Sequence, residues 1–162
     1  MARTSYVIGL GSNRRGRHGS PAQEVRAARD ALARGRDVLV AASPIIASAP
    51  LGPSIRRFAN AVALIESDEA PPELLARLKA IETRFGRRRG QRWGARVIDL
   101  DIILWSGGCW AGPGLIVPHP SFRERRFVLA PLATIVPSWR DPMTHRTIRQ
   151  LARVVDRRAP HP

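Results

Sequence analysis

Val97-Ile98-Asp99-Leu100-Asp101-Ile102-Ile103-Leu104-Trp105 is the most strand-like run in the chain, β-branched and apolar except for two aspartates at positions i and i+2. Side chains alternate along a strand, so Asp99 and Asp101 share one face, about 7 Å apart, while Ile98, Leu100 and Ile102 point to the other, the core. The rest of the chain has to supply what covers that apolar face.

Working back toward the N-terminus, Pro71-Pro72-Glu73 opens a helix whose apolar positions Leu74, Leu75, Leu78, Ile81 and Phe85 keep helical spacing until Gly86 stops it. Before it lie two β-like stretches, Phe58 to Glu66 and Val38 to Ser48, separated by the Pro- and Gly-containing segment Ala49 to Arg57. Ser20-Pro21-Ala22-Gln23 has the makings of a capping box, with Val25, Ala28 and Leu32 on one face of the helix that follows and Gly35 at its end. Tyr6 to Leu10 reads as the first strand, and the polar, glycine-punctuated stretch Arg14 to Gly19 is expected to be mobile.

Toward the C-terminus, Ser106 to Gly114 reads as a hairpin excursion and Pro118-His119-Pro120 as a rigid loop. Phe127 to Ile135 and Thr147 to Val155 read as short helices, and Arg157 to Pro162 as a frayed end. Strand, helix, strand, strand, helix, strand is the split βαβ order of an α+β, ferredoxin-like antiparallel sheet, with helices packed on one face and the other face free to build an active site. Residues 1–162 are expected to form a single domain.

The charge is lopsided: 27 Lys+Arg against 13 Asp+Glu, a formal +14, with Lys79 the sole lysine. Such a balance points to phosphate as partner, in a nucleotide, a nucleic acid or an anionic surface. Arginine arriving through a compositional bias that also enriches Ala, Gly and Pro accounts for most of it without any function. No apolar run is long enough for a membrane span and the first residues lack a signal-peptide core, so a cytoplasmic protein with no membrane partner is expected. One cysteine, Cys109, excludes an intrachain disulfide and a multi-cysteine zinc site.

Two like charges on one strand face repel unless a cation lies between them. Neighbouring arginines could provide it, but a magnesium site suits the pair better, since Mg²⁺ takes one or two carboxylates and completes its octahedron with water and phosphate oxygens. Arg84 to Arg96 holds six arginines and no acid. Guanidinium forks match phosphate oxygens in pairs and keep their charge, so Arg87, Arg89, Arg92 and Arg96 beside the aspartates suggest polyphosphate chemistry. Trp93 is either a surface anchor or a lid that stacks on a ligand. Phe58 and Asn60 share a strand face and offer a ring and an amide together, the combination a flat heterocycle needs, although from the residues alone ordinary core packing is the favoured reading of Phe58 and of Phe127. His119 between two prolines is a stiffly framed donor, and Glu82 lies near the buried face of its helix, where it could cap an arginine.

The run Arg92-Trp93-Gly94-Ala95-Arg96-Val97-Ile98-Asp99-Leu100-Asp101-Ile102-Ile103-Leu104 resembles the signature of the 6-hydroxymethyl-7,8-dihydropterin pyrophosphokinases of folate biosynthesis. Four further stretches agree in order: Gly9-Leu10-Gly11-Ser12-Asn13; Ala49-Pro50-Leu51-Gly52-Pro53 with Phe58-Ala59-Asn60-Ala61; Glu73-Leu74-Leu75 with Ile81-Glu82; and Val117-Pro118-His119-Pro120 with Phe127-Val128-Leu129-Ala130-Pro131-Leu132. The resemblance implies diphosphate transfer from ATP to the hydroxymethyl oxygen of the pterin, release of AMP, and two Mg²⁺ ions held by Asp99 and Asp101, with Asp99 also a candidate base. Arg87 and Arg96 would engage the phosphates as catalytic groups. Glu82, Arg89, Trp93, His119 and Arg125 would lie on the nucleotide side. Phe58 and Phe127 would sandwich the pterin, with Asn60 and the backbone of Ser48 and Leu51 reading its edge.

The match departs from the family pattern in places. Ser48-Ala49 stands for a common Thr-Pro, the segment after Pro53 is one residue short, Lys79 replaces a frequent Gln, and Pro120 takes the place of an occasional aromatic. ATP and hydroxymethyldihydropterin are the expected partners, with no nucleic acid, and the protein is expected to be a monomer. The alternatives are a paralogue acting on or binding a different pterin, and a ferredoxin-like nucleic-acid-binding module, whose phosphate backbone the two aspartates would repel.

Overall fold

A computed structural model describes residues 2–48, 58–86 and 97–158. Strand β1 (Thr4–Ser12) leads into α1 (Pro21–Arg34), followed by β2 (Val38–Ala42), β3 (Ile46–Ser48), β4 (Phe58–Ser67), α2 (Pro71–Arg84) and β5 (Asp99–Trp105). The sheet runs β2-β4-β1-β5, with β3 also paired to β4, and every pairing is antiparallel. This is the split βαβ order expected. The Val38 to Ser48 stretch, read as one β-like segment, is two strands. Ser43 stands at the break, its backbone N–H donating to the Val62 carbonyl at 2.9 Å and its hydroxyl accepting from the Val62 N–H at 2.9 Å.

Local chemistry sets the helix ends. The Ser20 hydroxyl accepts from the Gln23 N–H at 3.3 Å while the Gln23 amide oxygen accepts from the Ser20 N–H at 2.8 Å, so two of the donors at the helix start are satisfied reciprocally. Val25, Ala28 and Leu32 of α1 and Leu74, Leu78 and Ile81 of α2 are buried against Tyr6, Ile8 and Leu10, Ala61, Ala63 and Ile65, and Leu100 and Ile102. Both helices cover one sheet face, as the alternation in β5 requires.

The other face is shared. A hairpin of β6 (Trp110–Gly112) and β7 (Leu115–Val117) and a 3₁₀ turn at Phe122–Glu124 lead to α3 (Arg126–Ile135) and α4 (Ile148–Arg158). Leu129, Leu132, Ile148 and Leu151 bury Val7, Val62 and Ile103, side chains that point away from α1 and α2. The face expected to be free is therefore roofed in part, and the site occupies what is left.

Residues Arg14 to Gly19 differ from the mobile loop expected. Gly16 and Gly19 exchange backbone hydrogen bonds at 3.1 Å, and fully buried Glu24 accepts from the His18 N–H at 2.8 Å and meets His18 Nδ1 at 2.9 Å. Arg17 donates to the Arg84 carbonyl at 2.9 Å, and the His18 ring lies 4.8 Å from that of Phe85. The loop is tied to the C-terminal end of α2 because a buried carboxylate must find donors, and the loop provides them.

Candidate active site

Strand register brings the site together. Gly11 pairs with Asn60 on one side and Asp99 on the other, and Gly9 pairs likewise with Val62 and Asp101. Glycine at both positions of the central strand removes the side chains that would fill the gap, so the floor between Asn60 and the aspartates is bare backbone. An added Cβ at Gly11 would lie 3.1 Å from Asn60 Oδ1, and one at Gly9 would lie 3.1 Å from Ile103 Cδ1. Sequence reasoning gave these glycines no role, although two of them at i and i+2 within a strand are a legible sign of close approach on one face.

Above this floor is a recess of about 250 Å³ whose lining includes Phe58, Asn60, Asp99, Asp101, His119, Arg125 and Phe127, with Asn13 and Val128, which sequence reasoning had not assigned. Phe58 is 38% exposed and Phe127 51%, so neither ring is core. The Arg125 guanidinium lies 5.8 Å from the Phe127 ring centroid. Asn13 Oδ1 is buried without a hydrogen-bond partner among the described residues.

A second recess, about 360 Å³, lies beyond the edge strand β5 and is lined by Leu75, Lys79, Ile102, Leu115, Ile116 and Pro120, among others. The two recesses meet at Asp101 and His119, which line both.

His119 is held by its backbone N–H to the Ile103 carbonyl at 2.9 Å, and its Nδ1 accepts from the Ser121 N–H at 3.2 Å. That acceptance leaves the ring proton of the neutral form on Nε2. Burial lowers its pKa below the usual 6.5; Arg125 lowers it further and Asp101 opposes them. At neutral pH the ring is therefore a neutral donor rather than a cation.

Glu82, expected near the nucleotide, lines neither recess. It is 1% exposed, and its Oε1 accepts from the Leu100 N–H at 2.8 Å and from Lys79 Nζ at 3.2 Å. Ser48 pairs with Phe58 through its backbone. Leu51, Arg87, Arg89, Arg92, Trp93 and Arg96 lie outside the described residues.

The donor set admits Mg²⁺. Asp99 in the first recess and Asp101 at the meeting of the two present hard carboxylate oxygens on one strand face, facing glycine backbone. Among the described residues no three His, Cys, Asp or Glu side chains converge, so there is no all-protein cage of the zinc kind. Two carboxylates with open space suit an ion that takes its remaining ligands from water and phosphate.

An α+β sheet carrying an acidic pair, a histidine donor and an arginine in one recess, with one of the acids and the histidine shared with a second, has the makings of a phosphate-transferring enzyme with two substrates. The family model described as 7,8-dihydro-6-hydroxymethylpterin-pyrophosphokinase matches residues 7–137, and the chain belongs to that family. It is a diphosphotransferase of folate biosynthesis. The 2-amino-4-hydroxy-6-hydroxymethyldihydropteridine pyrophosphokinase of Pseudomonas aeruginosa is 44% identical over 144 residues, 88% of this chain and 86% of that protein. The Haemophilus influenzae protein of the same name is 39% identical over 134 residues, 82% of this chain and 81% of its own. In structure, Plasmodium falciparum HPPK-DHPS with pteroate superposes on 97% of the chain with a TM-score of 0.73 at 14% identity. The chain spans 43% of that longer protein, and the likeness is one of fold.

Proposed function

We propose that the chain transfers diphosphate from ATP to the hydroxymethyl oxygen of 6-hydroxymethyl-7,8-dihydropterin and releases AMP, with residues 1–162 acting as one domain. The observation that carries this reading is the meeting of two recesses at Asp101 and His119, one offering exposed aromatic rings and an amide, the other an apolar slot. A flat pterin fits the first, with Phe58 and Phe127 against its faces and Asn60 on its polar edge. The nucleoside fits the second, and the phosphates cross between them.

The pterin hydroxyl oxygen attacks the β phosphorus, the bond from that phosphorus to the α-β bridging oxygen breaks, and AMP leaves with that oxygen. The hydroxyl proton passes to solvent or to Asp99. Asp99 and Asp101 would hold two Mg²⁺ ions, which when bound supply Lewis-acid polarisation of the phosphates. His119 Nε2–H and the Arg125 guanidinium would donate to phosphate oxygens, and family resemblance puts Arg87, Arg89, Arg96 and Trp93 on the same side. In this reading the partners are small molecules; a nucleic-acid backbone would meet the aspartates first. The reading needs one protomer and no membrane, and no helix among the described residues is long and apolar enough to cross one.

Incubation with ATP, Mg²⁺ and hydroxymethyldihydropterin should yield AMP and the pterin diphosphate in equal amounts. ADP in place of AMP would refute diphosphate transfer. AMP formation only with another pterin would point to the paralogue reading.

A further inference from the structure

We infer that Glu82 is a positioning residue: from the helix side of the sheet its carboxylate holds the strand that carries both aspartates. The inference rests on the diphosphate-transfer reading for its kinetic consequences, but its physical content does not depend on that reading.

Among the described residues β5 is the outer strand of the sheet, paired to β1 on one side, so N–H groups on its other side have no described strand to bond. The Leu100 N–H, flanked in sequence by Asp99 and Asp101, is one of these. It donates to Glu82 Oε1 at 2.8 Å. Leu100 is itself fully buried, so this amide would otherwise be a costly orphan.

Glu82 is well suited to the task. Its side chain is 0% exposed, and α2, packed through Leu78 and Ile81 into the core, fixes its backbone. Burying a carboxylate is expensive unless it is paired. Lys79, one turn earlier on the same helix, contributes to that pairing at 3.2 Å. The hydrogen bond to Leu100 is charge-assisted and therefore stiffer than a neutral one. Side chains on either side of Leu100 point to the opposite face, so fixing its amide sets the height and tilt of both carboxylates without contacting either substrate.

A ligand contact and a positioning role make different demands on Glu82. A contact to nucleotide or metal requires its negative charge or its reach. Holding the Leu100 amide requires only an oxygen acceptor at the same place, which glutamine provides.

Three proteins distinguish these roles: the wild type, Glu82→Gln and Glu82→Ala. The Leu100 amide, followed by hydrogen exchange, should stay protected in Glu82→Gln and exchange at least about tenfold faster in Glu82→Ala. In Glu82→Ala, kcat for AMP formation should fall about 100-fold, the effect of a displacement of roughly 1 Å at the reacting groups. Its KM for the pterin, bound in the other recess, should stay unchanged, and more Mg²⁺ should be needed for half-maximal velocity. Glu82→Gln should keep kcat within about threefold of wild type, because the bond survives in neutral form.

Equal loss of kcat in both variants would overturn the inference and make Glu82 a ligand contact. Unchanged Leu100 exchange in Glu82→Ala would overturn it regardless of activity. A wild type that forms no AMP would count against the diphosphate-transfer reading, while the exchange experiment would still decide whether Glu82 holds the strand.

Discussion

At the scale of single residues, the site depends as much on side chains that are missing as on those present. Gly11 leaves the floor open between Asn60 and Asp99, and a methyl group there meets Asn60 Oδ1 at 3.1 Å, tighter than ordinary contact. Gly11→Ala should therefore displace the Asn60 amide by a few tenths of an ångström. The expected result is a several-fold rise in KM for the pterin with kcat and melting temperature little changed, measured by steady-state kinetics and thermal denaturation. An unchanged KM would show that the amide does not read the pterin edge. Asp101 lines both recesses, and truncating it removes a carboxylate from the point where phosphate charge must be neutralised. Asp101→Ala should lower kcat by about 10³-fold or more while the melting curve stays near wild type, since the side chain is part-exposed and outside the core. Near-normal turnover would remove the metal-site assignment.

At the scale of elements, Asp141 shows how the roof of the site is held. It lies in the connection between α3 and α4, is fully buried, and accepts from Arg123 Nε at 2.5 Å and a terminal guanidinium nitrogen at 2.7 Å, from the Met143 N–H at 3.0 Å and from the Thr144 hydroxyl at 2.8 Å. Arg123 belongs to the 3₁₀ turn between His119 and Arg125, so this clamp ties the connection to the segment that supplies both. The donors overcome the cost of burial and bring the Asp141 carboxyl down to about 2 from an ordinary 3.8. A folded-state pKa below the unfolded one stabilises the protein fully above the unfolded value, and that contribution is lost as pH falls from about 4 toward 2. Asp141→Asn should cost about 2 to 4 kcal/mol at pH 7, with the deficit shrinking across that acid window, as followed by urea denaturation at several pH values. A deficit independent of pH would mean the clamp works by shape and not by charge. Elements of this kind were only partly legible in the sequence. The Pro71 and Ser20 helix starts, the alternation in β5 and the pairing of Phe58 with Asn60 on one face are local patterns, and local patterns read directly. The split of Val38 to Ser48 at Ser43, the roof over the second face and the partner of Asp141 depend on contacts between residues far apart in sequence, which periodicity does not encode. Glu24 is the clearest case: a buried acid in an amphipathic helix has the sequence pattern of an ordinary polar residue, and only the loop packed over it reveals that Arg14 to Gly19 is fixed.

At the scale of the whole molecule, the formal charge of +14 bears on how the two substrates approach. Several acids are taken up in pairs away from the recesses, Asp68 with Arg36, Asp37 and Glu69 with Arg77, and Asp156 with Arg126, and each pair neutralises charge where it lies. Whatever the origin of the positive excess, its field acts on any charged species that approaches. A field of this sign should draw a polyanion toward the protein, while a neutral heterocycle would feel almost nothing. The expected signature is a kcat/KM for ATP that falls about tenfold as salt rises from roughly 0.02 to 0.3 M at fixed free Mg²⁺, with kcat and the KM for the pterin nearly flat. The two substrates of one enzyme thus act as each other's control: a parallel fall for both would indicate a general effect of salt on the protein. Equal insensitivity of both would show that the excess charge does not steer ATP, leaving Arg125 and the arginines of residues 87–96 to work only at contact range.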